Sequence, residues 1–443
     1  MSSVAPVLFS SSRGGGAAAG FSAALLQGLA PDGGLYVPAR WPKPPLRDFA
    51  GATELPEVGE RLLGRFLAGD VLAGSLSALV TEAFNFPAPR LPLTDDDRLS
   101  VLELFHGPTA AFKDFGARFL AAAFSRLRAA DERTLTILVA TSGDTGAAVA
   151  AAFHGRPGIE VVVLFPKGRV SPTQERQLTC WGGNVRSLAV RGSFDDCQRL
   201  VKEAFTDPVL SARVALSSAN SINLGRLLPQ AVYYAATSLA VFRHYGESAS
   251  FIVPSGNLGN ALSCLWARQL GLPIAEVVLA HNANRAVPDY LASGEWRPRA
   301  SVATLASAMD VGDPSNMERL LGLFPDLNTL RAAVSACSVT DAEIRARIRV
   351  GYEEYGQIWC PHTAVAAEAW ERLPEGVRAS RRWVLVATAH PAKFPEIVEP
   401  LIGRAVPVPP SLAALFARAS ASDEIDAHLG ALRAVLEERS ARG

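Results

Sequence analysis

Short runs of β-branched and aliphatic residues alternate along this chain with alanine-rich stretches whose apolar positions recur at helical spacing. Thr136–Ala140, Val161–Phe165, Val185–Val190, Val214–Leu216, Phe251–Val253, Val277–Leu279 and Trp383–Ala387 are continuous apolar runs of this kind, the pattern of strands buried on both faces. Helices are predicted between them, so the fold class is α/β, with parallel twisted sheets flanked by helices. The first 95 residues read differently: they are rich in glycine and proline, with a Pro31-Asp-Gly-Gly34 turn ahead of Leu35-Tyr-Val37, and form an N-terminal α+β lobe. The proline-rich run Phe86–Pro92 and the acidic Asp95-Asp-Asp97 close that lobe. A small α/β domain is then placed at 96–225, a large one at 226–410 and a C-terminal segment at 411–443. In the tail, Ser422 is read as a helix cap, Asp423 and Glu424 suit the positive helix end, and Ile425, Leu429, Leu432 and Leu436 mark a packing face.

Composition removes several functional classes. A chain of 443 residues with 49% hydrophobic content has a large core and more than one domain. Lys plus Arg equals Asp plus Glu at 43 each, so no overall field attracts nucleic acid or an anionic membrane, and an anionic ligand must be held locally. Cys180, Cys197, Cys264, Cys337 and Cys360 are scattered and odd in number; neither a disulfide framework nor a metal site is expected, and a reducing cytoplasm fits. The longest apolar run, Ala231–Phe242, is too short to span a bilayer, and the start lacks a basic segment followed by an apolar core.

Five stretches carry chemistry. Lys113 stands between Phe112 and Asp114, just past a Gly107-Pro108 turn, in a run whose Phe112, Phe115 and Phe119 suggest a helix start. An apolar setting disfavours the charged amine, which makes Lys113 a candidate Schiff-base lysine as well as a candidate snorkelling one. Thr141-Ser-Gly-Asp-Thr-Gly146 and Ser255-Gly-Asn-Leu-Gly-Asn260 are glycine-containing turns that follow strands and open helices. Such turns aim backbone N–H groups and a helix dipole at one point and bind phosphate or carboxylate without a cationic side chain. Neither has the spacing of a nucleoside-triphosphate or dinucleotide loop. Asn220-Ser-Ile-Asn-Leu-Gly-Arg226 places two amides, a hydroxyl and a guanidinium at a helix start, an arrangement that serves either a phosphate or an ordinary cap. Thr388-Ala-His-Pro-Ala-Lys-Phe394 closes the last strand, where a hydroxyl faces the crevice of a parallel sheet or caps a turn. His106, His281 and His390 are the histidines able to line that crevice, although each also suits a structural role.

Taken in order with Phe21–Leu29, Trp181-Gly-Gly-Asn184, Ala308-Met-Asp-Val311 and Pro361-His-Thr363, these segments resemble the threonine synthase family, in its longer, N-terminally extended branch. Its early Ser-Thr-Arg-Gly appears here as Ser11-Ser-Arg-Gly14. The resemblance implies the pyridoxal-phosphate fold of the tryptophan-synthase-β group (fold type II). It also implies conversion of O-phosphohomoserine and water to threonine and phosphate, with a phospholyase that releases a 2-oxo acid as the alternative. By that resemblance Lys113 holds pyridoxal phosphate, Gly256, Asn257, Leu258, Gly259 and Asn260 cradle its phosphate, and Thr388 faces its ring nitrogen. Ser142, Gly143, Asp144 and Thr145 take the substrate carboxylate. Arg226, with Asn220, Ser221, Thr109 and Lys167, holds the substrate phosphate. Asp144 is the awkward member, since a carboxylate beside another repels it unless it is turned away or protonated. The long branch suggests a monomer.

Overall fold

The computed structural model describes residues 6–128, 134–141 and 143–440. All seven strands read from the apolar runs are present, and each pairs in parallel with a neighbour. They divide between two sheets. The larger has six strands in the order Ser335–Ser338, Ile274–His281, Ala249–Pro254, Arg382–Ala387, Leu99–Glu103 and Arg90–Pro92, with only the last pair antiparallel. The smaller has five parallel strands in the order Asp423–Asp426, Val185–Arg191, Ile159–Pro166, Leu135–Ala140 and Ala215–Ser217. Helices cover both, as parallel crossovers require. The N-terminal residues add a short antiparallel pair, Phe9–Ser11 with Tyr36–Pro38, and helices Leu55–Leu63 and Leu76–Ala83.

Two elements depart from the sequence reading. Leu99–Glu103 lies within the segment 96–225, yet it pairs with Arg382–Ala387 in the larger sheet, so the chain starts that sheet before it builds the smaller one. In the tail, Asp423–Asp426 is a strand and not the first helical turn; the helix spans Leu429–Ser440. The strand pairs with Val185–Arg191, which buries Ile425 beside Leu188 and Val190. Arg186 pairs with Asp423 at 2.6 Å, and Arg191 pairs with Asp426 at 2.8 Å. Those basic partners lie more than two hundred residues away in the chain, and they override a local helix cap.

The helix that begins at Lys113, Lys113–Leu127, packs against the short helix Leu224–Leu227. Gly116 is where they touch: a Cβ there would lie 2.3 Å from the Arg226 carbonyl oxygen. Gly116→Ala is therefore expected to destabilise the fold by about 1–3 kcal/mol, since overpacking against backbone outweighs the helix propensity of alanine. The measurement is the urea midpoint; an unchanged or higher midpoint contradicts this close contact.

Candidate active site

The ends of both sheets bring Lys113, Asp144, Thr388 and a second lysine, Lys393, together. The loop before Lys113 is stitched to the end of strand Arg382–Ala387: the Phe112 N–H donates to the Thr388 carbonyl at 2.9 Å, and Ala111 bridges Ala389. Ala110 in this loop has φ +53°, a left-handed conformation unusual for a residue with a Cβ. Lys113 is the first residue of its helix, its side chain is 14% exposed, and its Nζ lies 3.6 Å from Asp144 Oδ2. Burial pushes this amine below the usual lysine range; Asp144 opposes the effect, while the charges of Lys393 and Arg226 add to it.

Asp144 opens the helix Asp144–Phe153, with Gly143 at its cap in a conformation of φ +143° that favours glycine. A Cβ on Gly143 would also lie 2.5 Å from Gln174 Nε2. Lys393 Nζ donates to Asp144 Oδ1 at 2.7 Å and to the Thr109 carbonyl at 2.9 Å. Burial disfavours the Asp144 carboxylate, but Lys393 and then Lys113 outweigh it, and the group is held well below the usual carboxyl range. The awkward acid is thus turned onto two lysines and ionised, while the Gly143 and Gly146 N–H groups donate to the Thr141 hydroxyl at 3.0 and 2.9 Å. Ser142 lies outside the described residues, and Thr145 is half-buried at the helix start.

The second turn presents unpaired backbone donors. Among the described residues, the N–H groups of Gly256, Asn257, Leu258 and Gly259 donate to no protein acceptor. They precede or open the helix Gly259–Gln269, and Leu258 sits at φ +61°. Gly256 has no room for a side chain, since a Cβ would lie 2.7 Å from Met309 Cα. Unpaired donors at a helix N-terminus, with the dipole behind them, favour a phosphate.

Beside this turn lies Asn220–Arg226. Ser221 Oγ accepts from Asn257 Nδ2 at 2.9 Å and from Asn316 Nδ2 at 3.2 Å, so its own hydrogen remains to be donated. The helix starts at Leu224, with the Asn223 side chain capping the Gly225 N–H at 2.9 Å. Arg226 is only 2% exposed. One guanidinium nitrogen donates to the Ala219 carbonyl, while Nε and the neighbouring Asn220 Oδ1 are buried without a partner. Burial pushes the Arg226 guanidinium down to about 10, which leaves it cationic at neutral pH. A buried cation with an unused donor is a ready anion site.

Three expected site residues are committed elsewhere. The Thr109 backbone N–H and hydroxyl both bind the Asp114 carboxylate, at 2.9 and 2.7 Å, which makes Thr109 a brace for the lysine loop instead of a phosphate donor. Lys167 is half-exposed and paired with Glu424 of the C-terminal strand. The Asn260 side chain turns into the core, where its Oδ1 accepts from Tyr233 at 2.6 Å and Tyr234 at 2.8 Å. The histidine facing Asp144 is His362. It accepts from the Ala308 N–H at 3.1 Å and is pushed down to about 4, chiefly by burial. His106 instead bonds Glu103 at 2.7 Å, and His390 accepts from the Ala392 N–H at 3.1 Å. His281 is buried and pushed down to about 3.

Arg319 and Asn316 had no sequence signal. The buried Arg319 guanidinium donates to the carbonyls of Tyr36, Ser221 and Ile222 at 3.1, 3.1 and 2.8 Å. Asn316 Nδ2 reaches the Asn257 carbonyl at 3.0 Å. Together they tie the N-terminal lobe to the Asn220–Arg226 segment and to the Gly256–Gly259 turn.

The family described as "Pyridoxal-phosphate dependent enzyme" matches residues 86–389, "Threonine synthase N terminus" matches 8–84, and "Threonine synthase, C-terminal" matches 363–436. Threonine synthase from Haemophilus influenzae is 43% identical over 422 residues, covering 94% of this chain and 96% of that protein. The chain belongs to the threonine synthase family. Threonine synthase from Escherichia coli strain K12 is 39% identical with the same coverage. Among solved structures, the PLP-bound threonine synthase from Brucella melitensis superposes with a TM-score of 0.89 at 35% identity, covering 98% of this chain and 99% of that one. The Escherichia coli enzyme superposes with a TM-score of 0.88 at 36% identity, covering 98% and 100%. The cofactor of this threonine synthase family member is pyridoxal phosphate, and the residues fit it: an unpaired N–H turn for the phosphate, a largely buried amine with a depressed pKa, and Thr388 at a strand end.

Proposed function

We propose that this chain converts O-phosphohomoserine and water to L-threonine and phosphate. The observation that supports the reading is a pair of separate segments with unpaired donors, the Gly256–Gly259 turn and the Ser221–Arg226 segment, beside one buried lysine whose pKa is lowered. Near-full-length identity to threonine synthases supports it. Bound pyridoxal phosphate supplies the electron sink for the carbons next to the substrate amine.

In this reading Lys113 holds the cofactor covalently and, once released, carries protons to and from Cα and Cβ of the substrate. The turn from Gly256 to Gly259 binds the cofactor phosphate, with Asn260 contributing through its backbone. The Ser142–Thr145 turn takes the substrate carboxylate through backbone donors. Ser221 and Arg226, beside Asn220, hold the phosphate that leaves from Cγ before water adds at Cβ. His362 is held neutral next to Asp144 and leaves its charge pairing undisturbed. The chain is assigned to the cytoplasm, in keeping with five unpaired cysteines, and to a monomeric state. No helix among the described residues is long and apolar enough to cross a membrane.

Product analysis with O-phosphohomoserine tests the reaction. Threonine and phosphate in equal amounts are expected; 2-oxobutanoate with phosphate as the main products would assign the chain to a phospholyase instead. Thr388 bears on the same partition. A neutral hydroxyl leaves the cofactor ring nitrogen largely unprotonated, whereas Thr388→Asp favours the protonated ring. The variant is expected to release a several-fold larger share of 2-oxobutanoate, measured by NMR of the products. An unchanged partition removes Thr388 from the ring nitrogen.

A further inference from the structure

Lys393 is fully buried, at 0% exposure, yet nothing in the reaction as described uses it. It sits in the turn after strand Arg382–Ala387, and its amine joins three parts of the site. Nζ bonds Asp144 Oδ1 at 2.7 Å, at the head of a helix of the smaller sheet, and the Thr109 carbonyl at 2.9 Å, in the lysine loop. Gln177 Nε2 also donates to that carbonyl, at 3.2 Å. Asp144 therefore has two lysines, one on each oxygen, but the two differ in distance: Lys393 at 2.7 Å is a formed ion pair, and Lys113 at 3.6 Å is not within hydrogen-bond length.

We propose that Lys393 is a positioning residue that serves as the constant counter-ion of Asp144, so that Lys113 is free to lose and regain its proton without leaving a buried carboxylate unpaired. The need for it follows from the proposed role of Lys113, on which this inference rests. An amine that alternates between cofactor carrier and proton carrier cannot also be the fixed partner of a fully buried acid, because an unpaired buried charge is costly. Lys393 holds no cofactor and shuttles no proton; its ammonium is locked by two acceptors. The other charged or titratable groups facing the pair include Arg226, which adds positive charge at Lys113, His362 and Cys360, which sense Asp144 and are held neutral by burial, and His390, which senses Lys393 and is pushed down to about 4, chiefly by burial. Asp114 behind Thr109 also senses Lys393, and burial raises its pKa. Without Lys393, Asp144 keeps only Lys113 as a close cation. The pair then stays neutral only if Lys113 retains its proton.

The test reads amine protonation in the cofactor-free protein, so it is independent of turnover. Trace acetylation with acetic anhydride over a pH series, resolved by peptide mass spectrometry, gives the midpoint at which each lysine becomes reactive. In the unsubstituted protein Lys113, whose side chain is 14% exposed, is expected to be acetylated first, and Lys393, at 0% exposure, more slowly or not at all. In Lys393→Met the Lys113 midpoint is expected to move upward by about one to three pH units, the range for a carboxylate left to a single cation. Lys393→Arg, which keeps the charge, should hold it within a few tenths of a unit. The acid limb of the activity profile should follow the same order. An unmoved Lys113 midpoint in Lys393→Met, or Lys393 reacting before Lys113 in the unsubstituted protein, overturns the assignment; the second result needs no variant to fold. Failure of the Lys113 reading itself is distinguished by the chromophore, which would then survive Lys113→Ala.

Discussion

Lys113→Ala is expected to abolish the visible absorption of the purified protein and to lower kcat by about three to four orders of magnitude, the scale for losing a covalent anchor and proton carrier together. The fold should survive, because the side chain makes no direct hydrogen bond shorter than its 3.6 Å approach to Asp144, and Lys393 remains to balance that acid. Borohydride reduction of the parent protein should fix the cofactor on the peptide containing Lys113 and on no other. A variant that keeps a reducible chromophore and near-normal turnover would transfer the role to another lysine, and Lys393 would be the first to examine.

Arg226→Ala is expected to cost about 2–4 kcal/mol in kcat/KM, the range for a buried charged bond to a group whose charge grows as its C–O bond breaks. Cofactor loading should stay the same, since the Gly256–Gly259 donors belong to a separate turn. The structure adds a complication that fixes the control: Arg226 also donates to the Ala219 carbonyl and fills a buried space, so the alanine variant loses packing as well as charge. Arg226→Met keeps most of the volume, and it should show the same loss in kcat/KM with a smaller loss in melting temperature. Titration with pyridoxal phosphate and inorganic phosphate separates the two sites. If the variant loses pyridoxal phosphate while its response to phosphohomoserine is unchanged, the two anion sites have been assigned the wrong way round.

Much of this site was legible because its chemistry is local. The Ser255–Asn260 turn announces itself by glycines that follow an apolar strand, since its unpaired N–H groups depend on residues a few positions apart, although the close approach of Gly256 to Met309 does not. Asn220–Arg226 showed its helix start for the same reason: the Asn223 cap acts on a residue two positions on. Where a residue's partner is distant, sequence pattern misled. Asn260 belongs to the turn by position, yet two tyrosines from the preceding helix draw its side chain away.

The sequence by itself determined the parallel α/β class, seven of the parallel strands, the lysine in its aromatic setting and the two glycine turns. Each of these follows from short-range periodicity and from the backbone freedom of glycine. Only the tertiary structure decided which strands share a sheet, that Leu99–Glu103 belongs with strands almost three hundred residues on, and that Asp423–Asp426 is a strand. It alone showed Asp144 turned onto Lys113 and Lys393, and Arg319 with Asn316 tying the N-terminal lobe to the Asn220–Arg226 segment and the Gly256–Gly259 turn. These outcomes rest on charges and carbonyls far apart in the chain. A buried charge is tolerated only where folding delivers a partner to it, and no local pattern records where that partner comes from.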